Sequence, residues 1–365
     1  MVVSMSAAAL PPIPVSAVRV TTPVVTRLAV SAESASVIAP TTEADAPAVT
    51  LTEGLAALHQ ATFGDRLRLP LDHHASRRIT GREAPLAHPL LPINVAIGQS
   101  TWASQRVKAN LFYRGLSLLR PVHLGDTLYT RTRVVGLRQN KLQAGRAATG
   151  IVALEMTTTN QDGERVLHFW RCPMIPCRDP AARTGHADDL DAVGHAADLE
   201  AIRAAVPRHW NLRDTTGWSG RNAADCPLHR RFEIEARDTV TLAPELVRVS
   251  LNMAMAHTDS RASYLGERLV YGGHTIFMAF AQITRALPNL LGIVAWESCD
   301  HTGPVLENDR LRTHFMVTEA IALPAEQGGH LLRIHAECFA SRGVPAGTGE
   351  EESRVLDWQF WVWSA

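Results

Sequence analysis

Residues 257–275, HTDSRASYLGERLVYGGHT, place a histidine and then a Gly-Gly-His directly ahead of an apolar stretch. Glycines at a helix start let a ligand approach backbone N–H groups at the positive end of the helix dipole. Imidazole is the side chain best suited to act as a base near neutral pH. His257 with the N–H groups of Gly272 and Gly273 could therefore form a proton-transfer site with an oxyanion hole. Taken alone, the stretch is more typical of a turn and a helix cap.

The composition is that of an ordinary soluble globular chain and limits the functions to consider. Its 365 residues are enough for two domains. Lys plus Arg equals Asp plus Glu at 36 each, so charge gives no reason to expect nucleic acid or an anionic membrane as a partner. No apolar run approaches the ~20 residues that a membrane helix needs.

The cysteines are odd in number and scattered, without a CxxC motif or a histidine at zinc spacing. This pattern predicts a reducing, cytoplasmic compartment and no metal site. The five residues are Cys172, Cys177, Cys226, Cys299 and Cys338.

The N-terminal segment differs from the remainder of the chain. It is rich in Ala, Val, Ser, Thr and Pro, and it has no aromatic residue. Arg19 and Arg27 precede the first acid, Glu33, as in a transit peptide, but no Arg-rich amphipathic face is evident. We therefore predict a disordered tail over residues 1–47.

An internal repeat organises the remainder. RPVHLGDTL (120–128) matches GPVLENDRL (303–311) at an offset of 183. RVLHF (165–169) matches RVLDW (354–358) at an offset of 189, and the polar loop 341–353 accounts for the difference. Two matches in the same order indicate two copies of one structural unit.

Each copy shows an apolar stretch of helical length followed by strand-like runs. The helical stretches are 90–102 and 275–287, and the runs are 126–138, 147–160 and 164–174, then 309–322, 330–341 and 353–363. This order predicts an α+β fold in which each copy wraps an antiparallel sheet around a central helix. The expected units are an N-terminal copy (48–178), a polar linker (179–225) and a C-terminal copy (226–365), with a ligand crevice between the copies.

The chain resembles the double-hotdog MaoC-type dehydratases and type 2 enoyl-CoA hydratases. Among these it is most similar to the mesaconyl-CoA hydratases (β-methylmalyl-CoA dehydratases). The resemblance runs from about residue 50 to the C-terminus. It is carried by LTEGLAALHQATFGDRLRL (51–69), GDTLYTRTRVVGLRQNK (125–141), RLVYGGHTI (268–276) and RVLDWQFWV (354–362). It implies a double hotdog fold and a hydro-lyase that needs no cofactor, since coenzyme A is part of its substrate.

The chain departs from the type 2 hydratase motif at one chemically important position. His257 falls on the motif histidine, but Asn252 stands where the motif has Asp, five residues earlier, and Ala254-Met255 replaces Asn-Pro. An amide cannot accept a proton as a carboxylate does. The resemblance implies that mesaconyl-CoA hydratases tolerate Asn there, and Asn252 would then orient the water or the imidazole.

The repeat places the chemistry in the C-terminal copy. Subtracting 183 maps Gly272 onto Pro89, which has no N–H, and His257 onto His74. The N-terminal copy would then be non-catalytic and would shape the pocket for the acyl group and coenzyme.

Further residues are candidates for substrate binding. Asp259 is an alternative acid, while Tyr271 and His274 flank the two glycines, where His274 could instead cap the helix. A basic cluster after the second strand could contact the coenzyme A phosphates or simply be solvated. It comprises Arg138, Asn140 and Lys141.

The leading hypothesis is reversible hydration of mesaconyl-CoA to β-methylmalyl-CoA, or of a similar branched short-chain acyl-CoA. The alternatives are a general type 2 (R-specific) hydratase of enoyl-CoA or acyl-carrier substrates, a thioesterase, and a degenerate acyl-CoA-binding protein. A dicarboxylic substrate demands a buried Arg, Lys or His partner, which the sequence does not identify. A monomer and a homodimer are both compatible with a fold that already pairs two copies.

Overall fold

The computed structural model describes residues 46–221, 223–342 and 352–365. The predicted tail over residues 1–47 therefore lies outside the described residues except for its last two. Most of the predicted polar loop 341–353 lies outside them as well. No helix in the described part of the chain is long and apolar enough to cross a membrane.

The N-terminal copy begins with short helices and continues into four long strands. Its elements are β1 (Val49–Thr50), α1 (Glu53–Phe63), α2 (Arg68–Leu71), α3 (His73–Thr80), α4 (Leu90–Ser100), β2 (Ala109–Leu118), β3 (Thr127–Gln139), β4 (Thr149–Thr159) and β5 (Arg165–Pro176). The Thr52 hydroxyl caps α1 by accepting the Leu55 N–H at 3.2 Å, and Gly64 ends the helix in the left-handed region.

The C-terminal copy repeats this order. Its elements are β6 (Arg231–Glu233), β7 (Asp238–Thr239), α6 (Ala243–Val249), α7 (Gly272–Ala286), β8 (Leu290–His301), β9 (Arg310–Ala322), β10 (His330–Ser341) and β11 (Glu352–Ser364). The connecting segment carries one α-helix in its described part, α5 (Leu199–Ala205). The domain boundaries given above remain a prediction.

All of these strands belong to one eleven-stranded antiparallel sheet. The order is β1-β3-β4-β5-β2-β8-β11-β10-β9-β6, and β7 also pairs with β9. The two copies meet where β2 pairs with β8, with Phe112 opposite Asp300 and Leu116 opposite Trp296.

The sequence predicted only three long strands in each copy, and that prediction was wrong. Within the described ranges each copy has four long strands, because β2 and β8 were missed. β8 is buried on both faces, with Trp296 in the main core and Val294 in a second cluster. A strand buried on both faces loses the alternation of apolar and polar residues that marks a half-exposed strand.

The sheet wraps around two buried helices, α4 and α7. Every residue of α4 is buried, and so is α7 from Gly273 to Thr284. The repeat extends to polar contacts in this core. The Gln99 side chain donates to the Leu128 carbonyl at 2.9 Å, and Gln282, its counterpart in the repeat, donates to the Leu311 carbonyl at 2.9 Å. A buried hydrogen bond of the same kind thus ties each central helix to its own sheet.

Candidate active site

A cavity of about 240 Å³ lies between the two copies, at the first turn of α7. The N-terminal copy contributes the end of α4, the start of β2 and one residue of β5. The C-terminal copy contributes the chain from residue 252 into α7 and the segment that follows β8. The polar residues that line it are Thr101, Lys108, Asn110, Tyr113, Arg171, Asn252, His257, Tyr264, Tyr271, Thr275, His301 and Thr302.

His257 lies in a short 3-10 turn, Met255–His257, that is clamped to the chain ahead of α7. The Leu269 N–H donates to the Ala256 carbonyl at 3.0 Å, and His257 Nδ1 lies 2.7 Å from the Leu269 carbonyl oxygen. A carbonyl oxygen only accepts, so Nδ1 carries the proton in this bond. In the neutral ring, Nε2 is then left with its lone pair, which is the form of imidazole that accepts a proton.

The surroundings of His257 keep it neutral. Burial lowers its pKa to about 4, the bond to the Leu269 carbonyl opposes this shift, and the positive charge of Arg171 adds to it. At pH 7 the imidazole is therefore unprotonated and available as a base.

Asn252 also lines the cavity, but its carbonyl oxygen is already engaged. Oδ1 accepts the Ala254 N–H at 2.9 Å, in a turn held by the Asn252 N–H on the Val247 carbonyl at 2.9 Å. The next residue, Met253, donates its N–H to the Thr101 hydroxyl of the other copy at 2.9 Å. What Asn252 can offer a ligand is its NH₂ group, a donor.

The start of α7 is built without a β-carbon at two successive positions. A Cβ on Gly272 would lie 2.5 Å from His301 Nε2, and one on Gly273 would run into the Tyr271 ring. We expected glycine here so that the substrate could approach the backbone, but protein side chains occupy that space. Gly272 lines the cavity, whereas Gly273 is buried beneath Tyr271.

Two tyrosines and a second histidine complete this wall. Burial raises the pKa of both Tyr113 and Tyr271, so both phenols are neutral, and a hydrogen bond between the two side chains also contributes to the shifts. Burial lowers the pKa of His301 to about 4, and the neighbouring His257 contributes to the shift. Sequence reasoning did not single out Tyr113 or His301, because both lie on the missed strands β2 and β8.

Arg171, on β5, is a cation that lines the cavity. It is 3% exposed. Its Nη2 donates to the Ser100 carbonyl at 3.1 Å and to the Ser104 hydroxyl at 2.7 Å. Nε has no partner among the described residues, and no described carboxylate forms an ion pair with the side chain. The cavity lining itself contains Arg171 and Lys108 but no Asp or Glu among its described residues.

The structure does not bring Asp259 or His274 to the cavity. The Asp259 carboxylate accepts the Arg261 N–H at 3.0 Å and pairs with the Arg261 guanidinium at 3.1 Å near the surface. The His274 ring packs edge-on against Phe63 of α1, with centroids 5.2 Å apart, and neither caps α7 nor meets the cavity.

The basic cluster lies at the end of β3, outside the cavity lining. Arg138 pairs across the sheet with Ile151, which pairs with Met174, which pairs with Ala109 at the cavity. Three strand spacings of ~4.8 Å separate Arg138 from Ala109, or about 14 Å. Asn140 donates to the Thr149 hydroxyl at 2.9 Å, and Lys141 is exposed.

The N-terminal copy forms no equivalent site among its described residues. Pro89 precedes α4, and the Leu90 N–H is taken by His88 Nδ1 at 3.2 Å. The cavity at this end, about 60 Å³, is lined mostly by apolar residues. His74, the counterpart of His257 in the repeat, is exposed on α3.

Comparison with known proteins finds named relatives, although no family model matches the chain. A β-methylmalyl-CoA dehydratase of Chloroflexus aurantiacus is 30% identical over 304 residues, covering 80% of this chain and 84% of the relative. A mesaconyl-CoA hydratase of Cereibacter sphaeroides is 27% identical over 324 residues, covering 86% of this chain and 92% of the relative.

Solved structures confirm the predicted double hotdog. A conserved hypothetical protein of Mycobacterium tuberculosis, described as a double hotdog, superposes with a TM-score of 0.80 at 43% identity, covering 90% of this chain and 98% of that one. A putative MaoC domain dehydratase from Chloroflexus aurantiacus superposes with a TM-score of 0.75 at 26% identity, covering 88% of this chain and 93% of that one.

Proposed function

The chain belongs to the MaoC-like double-hotdog dehydratases, and from this premise we propose that it catalyses the reversible hydration of an enoyl-CoA thioester. The substrate pair that we propose is mesaconyl-CoA and β-methylmalyl-CoA, which appear in the names of the two relatives. The observation that carries the assignment is the tautomer of His257. The Leu269 carbonyl holds the proton on Nδ1, which leaves a lone pair on Nε2 of a residue that lines the same cavity as Gly272.

In the proposed reaction His257 Nε2 accepts a proton from water as the water oxygen bonds to Cβ of the enoyl thioester. The electron pair of the double bond moves toward the thioester oxygen, which becomes an enolate. The protonated imidazole then returns its proton to Cα, and the hydroxyacyl thioester is complete. The lowered pKa of the buried His257 favours this return, because its imidazolium gives up a proton more readily than that of a solvated histidine.

The enolate oxygen would be stabilised by the Gly272 N–H. The first N–H groups of a helix have no intrahelical acceptor, and they lie at the positive end of the dipole. Gly272 is the first residue of α7 and lines the cavity, so it is better placed than the buried Gly273. A preformed donor of this kind contributes typically 10²- to 10³-fold in rate.

Asn252 would hold the attacking water. Its oxygen is engaged by the Ala254 N–H, so its NH₂ donates to the water oxygen and leaves the water protons facing His257. This role needs a donor, which explains how a site without the usual carboxylate can remain active.

The coenzyme A arm would leave the cavity at Ala109 and cross β5 and β4 toward the end of β3. Arg138, Asn140 and Lys141 remain candidates for its phosphates, since an extended pantetheine can span the three strands between them and the cavity. The reaction uses protein groups only and needs no cofactor beyond the coenzyme A of the substrate. A cytoplasmic location accords with five buried, free cysteines, and a homodimer is compatible with the fold.

The test is the ultraviolet absorbance of the conjugated enoyl thioester. We expect absorbance to fall when purified protein is added to mesaconyl-CoA and to rise with β-methylmalyl-CoA. His257→Gln should lower kcat by at least about 10²-fold, because general-base catalysis contributes 10²- to 10⁴-fold.

His74→Gln is the matched control, since it removes the equivalent histidine of the other copy and should leave the rate unchanged. Circular dichroism would establish that both variants are folded. Decay of crotonyl-CoA but not mesaconyl-CoA would instead make the protein a general enoyl-CoA hydratase. A fully active His257→Gln would remove His257 from the mechanism.

A further inference from the structure

Arg171 is a buried charge for which the fold gives no reason. Transferring a guanidinium from water into the interior costs several kcal/mol unless an anion pairs with it. Its described partners are a carbonyl and a hydroxyl, Ser100 and Ser104, and neither is charged. The end of α4 offers a partly negative carbonyl, which orients the side chain but does not neutralise it.

The repeat shows that this position does not need an arginine. RVLHF and RVLDW align residues 165–169 with 354–358, so the offset of 189 places Arg171 on Phe360. Phe360 is fully buried and stacks on Trp358 with ring centroids 3.6 Å apart. The same strand position therefore holds an ordinary core residue in one copy and a cation without a described counter-charge in the other.

The surroundings of Arg171 suit a carboxylate from outside. The described lining residues of the cavity include no acid that could compete for it. Tyr113 and Tyr271 line the same cavity as Arg171 and interact electrostatically with its guanidinium, so they present two neutral hydroxyls beside it. A guanidinium with phenolic donors beside it is a receptor for a single carboxylate.

The chemistry of the proposed substrate requires a receptor in this place. In mesaconyl-CoA the free carboxylate is bonded to Cβ, the carbon that water attacks. Its partner must therefore lie in the same cavity as the general base, and Arg171 and His257 both line that cavity. Neutralising that carboxylate also makes Cβ more electrophilic, because an uncompensated negative charge would repel the incoming oxygen.

Building on the proposed function, we infer that Arg171 binds the free carboxylate of a butenedioyl-CoA substrate and so selects dicarboxylic over simple enoyl thioesters. It would contact the substrate in both the ground state and the transition state. Arg171 is thus a specificity-determining residue contributed by the N-terminal copy to a site whose base and oxyanion donor come from the C-terminal copy.

The test uses mesaconyl-CoA and crotonyl-CoA, which carries a methyl group in place of the carboxylate on Cβ and has no methyl group on Cα, so each variant is compared with the wild type on the same substrate. For Arg171→Met we expect kcat/KM on mesaconyl-CoA to fall about 30-fold or more, equivalent to about 2 kcal/mol, since removing one partner of a buried charge pair costs at least this. Activity on crotonyl-CoA should change less than threefold or rise. Arg171→Lys keeps the positive charge but loses the forked guanidinium, so its kcat/KM on mesaconyl-CoA should lie between those of the wild type and Arg171→Met.

A second measurement separates specificity from folding. Because Arg171 is a buried charge without a described counter-charge, Arg171→Met should melt no lower than the wild type. Succinyl-CoA should raise the melting temperature of the wild type more than butyryl-CoA does, and this difference should vanish in Arg171→Met. Lys108→Met, at the other cation of the cavity, is the matched control and should keep the difference.

The outcomes distinguish the two proposals. Equal losses on both substrates, or a lower melting temperature with the succinyl preference intact, would make Arg171 a structural tie between β5 and the end of α4 and overturn this inference alone. A wild type that hydrates crotonyl-CoA but not mesaconyl-CoA would also overturn it, while leaving the hydratase assignment in place. A wild type inactive on both would overturn the proposed function itself.

Discussion

The pKa of His257 makes a prediction about catalysis in acid. With a pKa of about 4, about 0.9 of the imidazole is neutral at pH 5. A histidine with the ordinary pKa of about 6.5 would be only about 0.03 neutral at that pH. The hydration rate at pH 5 should therefore stay within about 10% of its neutral plateau, whereas an unperturbed base would lose about 30-fold.

The assay is the initial rate of enoyl-thioester decay, measured within seconds of a jump from pH 7 to each pH between 4 and 8. The short time matters because acid also destabilises the protein, and a second jump back to pH 7 would check that activity returns. Arg171→Met supplies an internal test of the cause. Since the positive guanidinium lowers the pKa of His257, its removal should move the acid limb upward in pH when crotonyl-CoA is the substrate.

A rate that halves between pH 6 and 7 in the wild type would refute this reasoning. It would mean that His257 is solvated during turnover or that another group is the base. A shift of the acid limb of the pH–rate profile in His74→Gln would also contradict this reasoning, because His74 is exposed and does not line the cavity.

Three further predictions concern the packing and charge of the same region. Gly272→Ala should lower kcat by about 10²-fold or more, because a Cβ would lie 2.5 Å from His301 Nε2 and displace the N–H donor; His301→Ala in the same chain should restore part of the rate. Gly98→Ala should lower the free energy of unfolding by about 1–3 kcal/mol in denaturant titrations, because its Cβ would meet the Ser250 carbonyl oxygen. The free energy of unfolding should also fall between pH 7 and 5. The pKa of His274 and that of His301 are each about 4 in the folded protein and about 6.5 in the unfolded chain. Between pH 7 and 5 mainly the unfolded chain binds protons at these histidines, which lowers the free energy of unfolding by about 2 kcal/mol per histidine. His274→Phe should reduce this slope in urea titrations, and an unchanged slope would contradict the assigned cause.

The features that the sequence predicted correctly depend on residues that are close together in the chain, such as continuous apolar stretches and repeated segments. The two central helices are continuous apolar stretches, and α4 begins at Leu90 and α7 at Gly272, close to the predicted starts. The repeat predicted their equivalence because the matching segments follow each helix in the same order. His257 and Gly272 could be paired because they are close in sequence, and the Leu269 N–H on the Ala256 carbonyl closes the segment between them.

The features that were missed depend on contacts between distant parts of the chain. Tyr113 and His301 reach the cavity only because β2 pairs with β8, a pairing that joins the two copies. Arg171 did leave a local signal. Leu167 and Phe169 precede it on the core-facing side of β5, so the alternation of the strand already turned a charged residue inward.

The two copies of the repeat differ at the position of the proposed oxyanion donor. An oxyanion donor needs a free N–H at a helix start; in the N-terminal copy Pro89 has none and the Leu90 N–H is already bonded to His88. In the proposed mechanism that copy supplies no oxyanion donor, and its strand β5 carries Arg171 where the other copy has Phe360. A carboxylate receptor built into the catalytic copy would compete with the hydrophobic core that holds α7 in place. In the proposed mechanism, the C-terminal copy therefore holds the donor in place, and the N-terminal copy adapts the pocket to the acyl group.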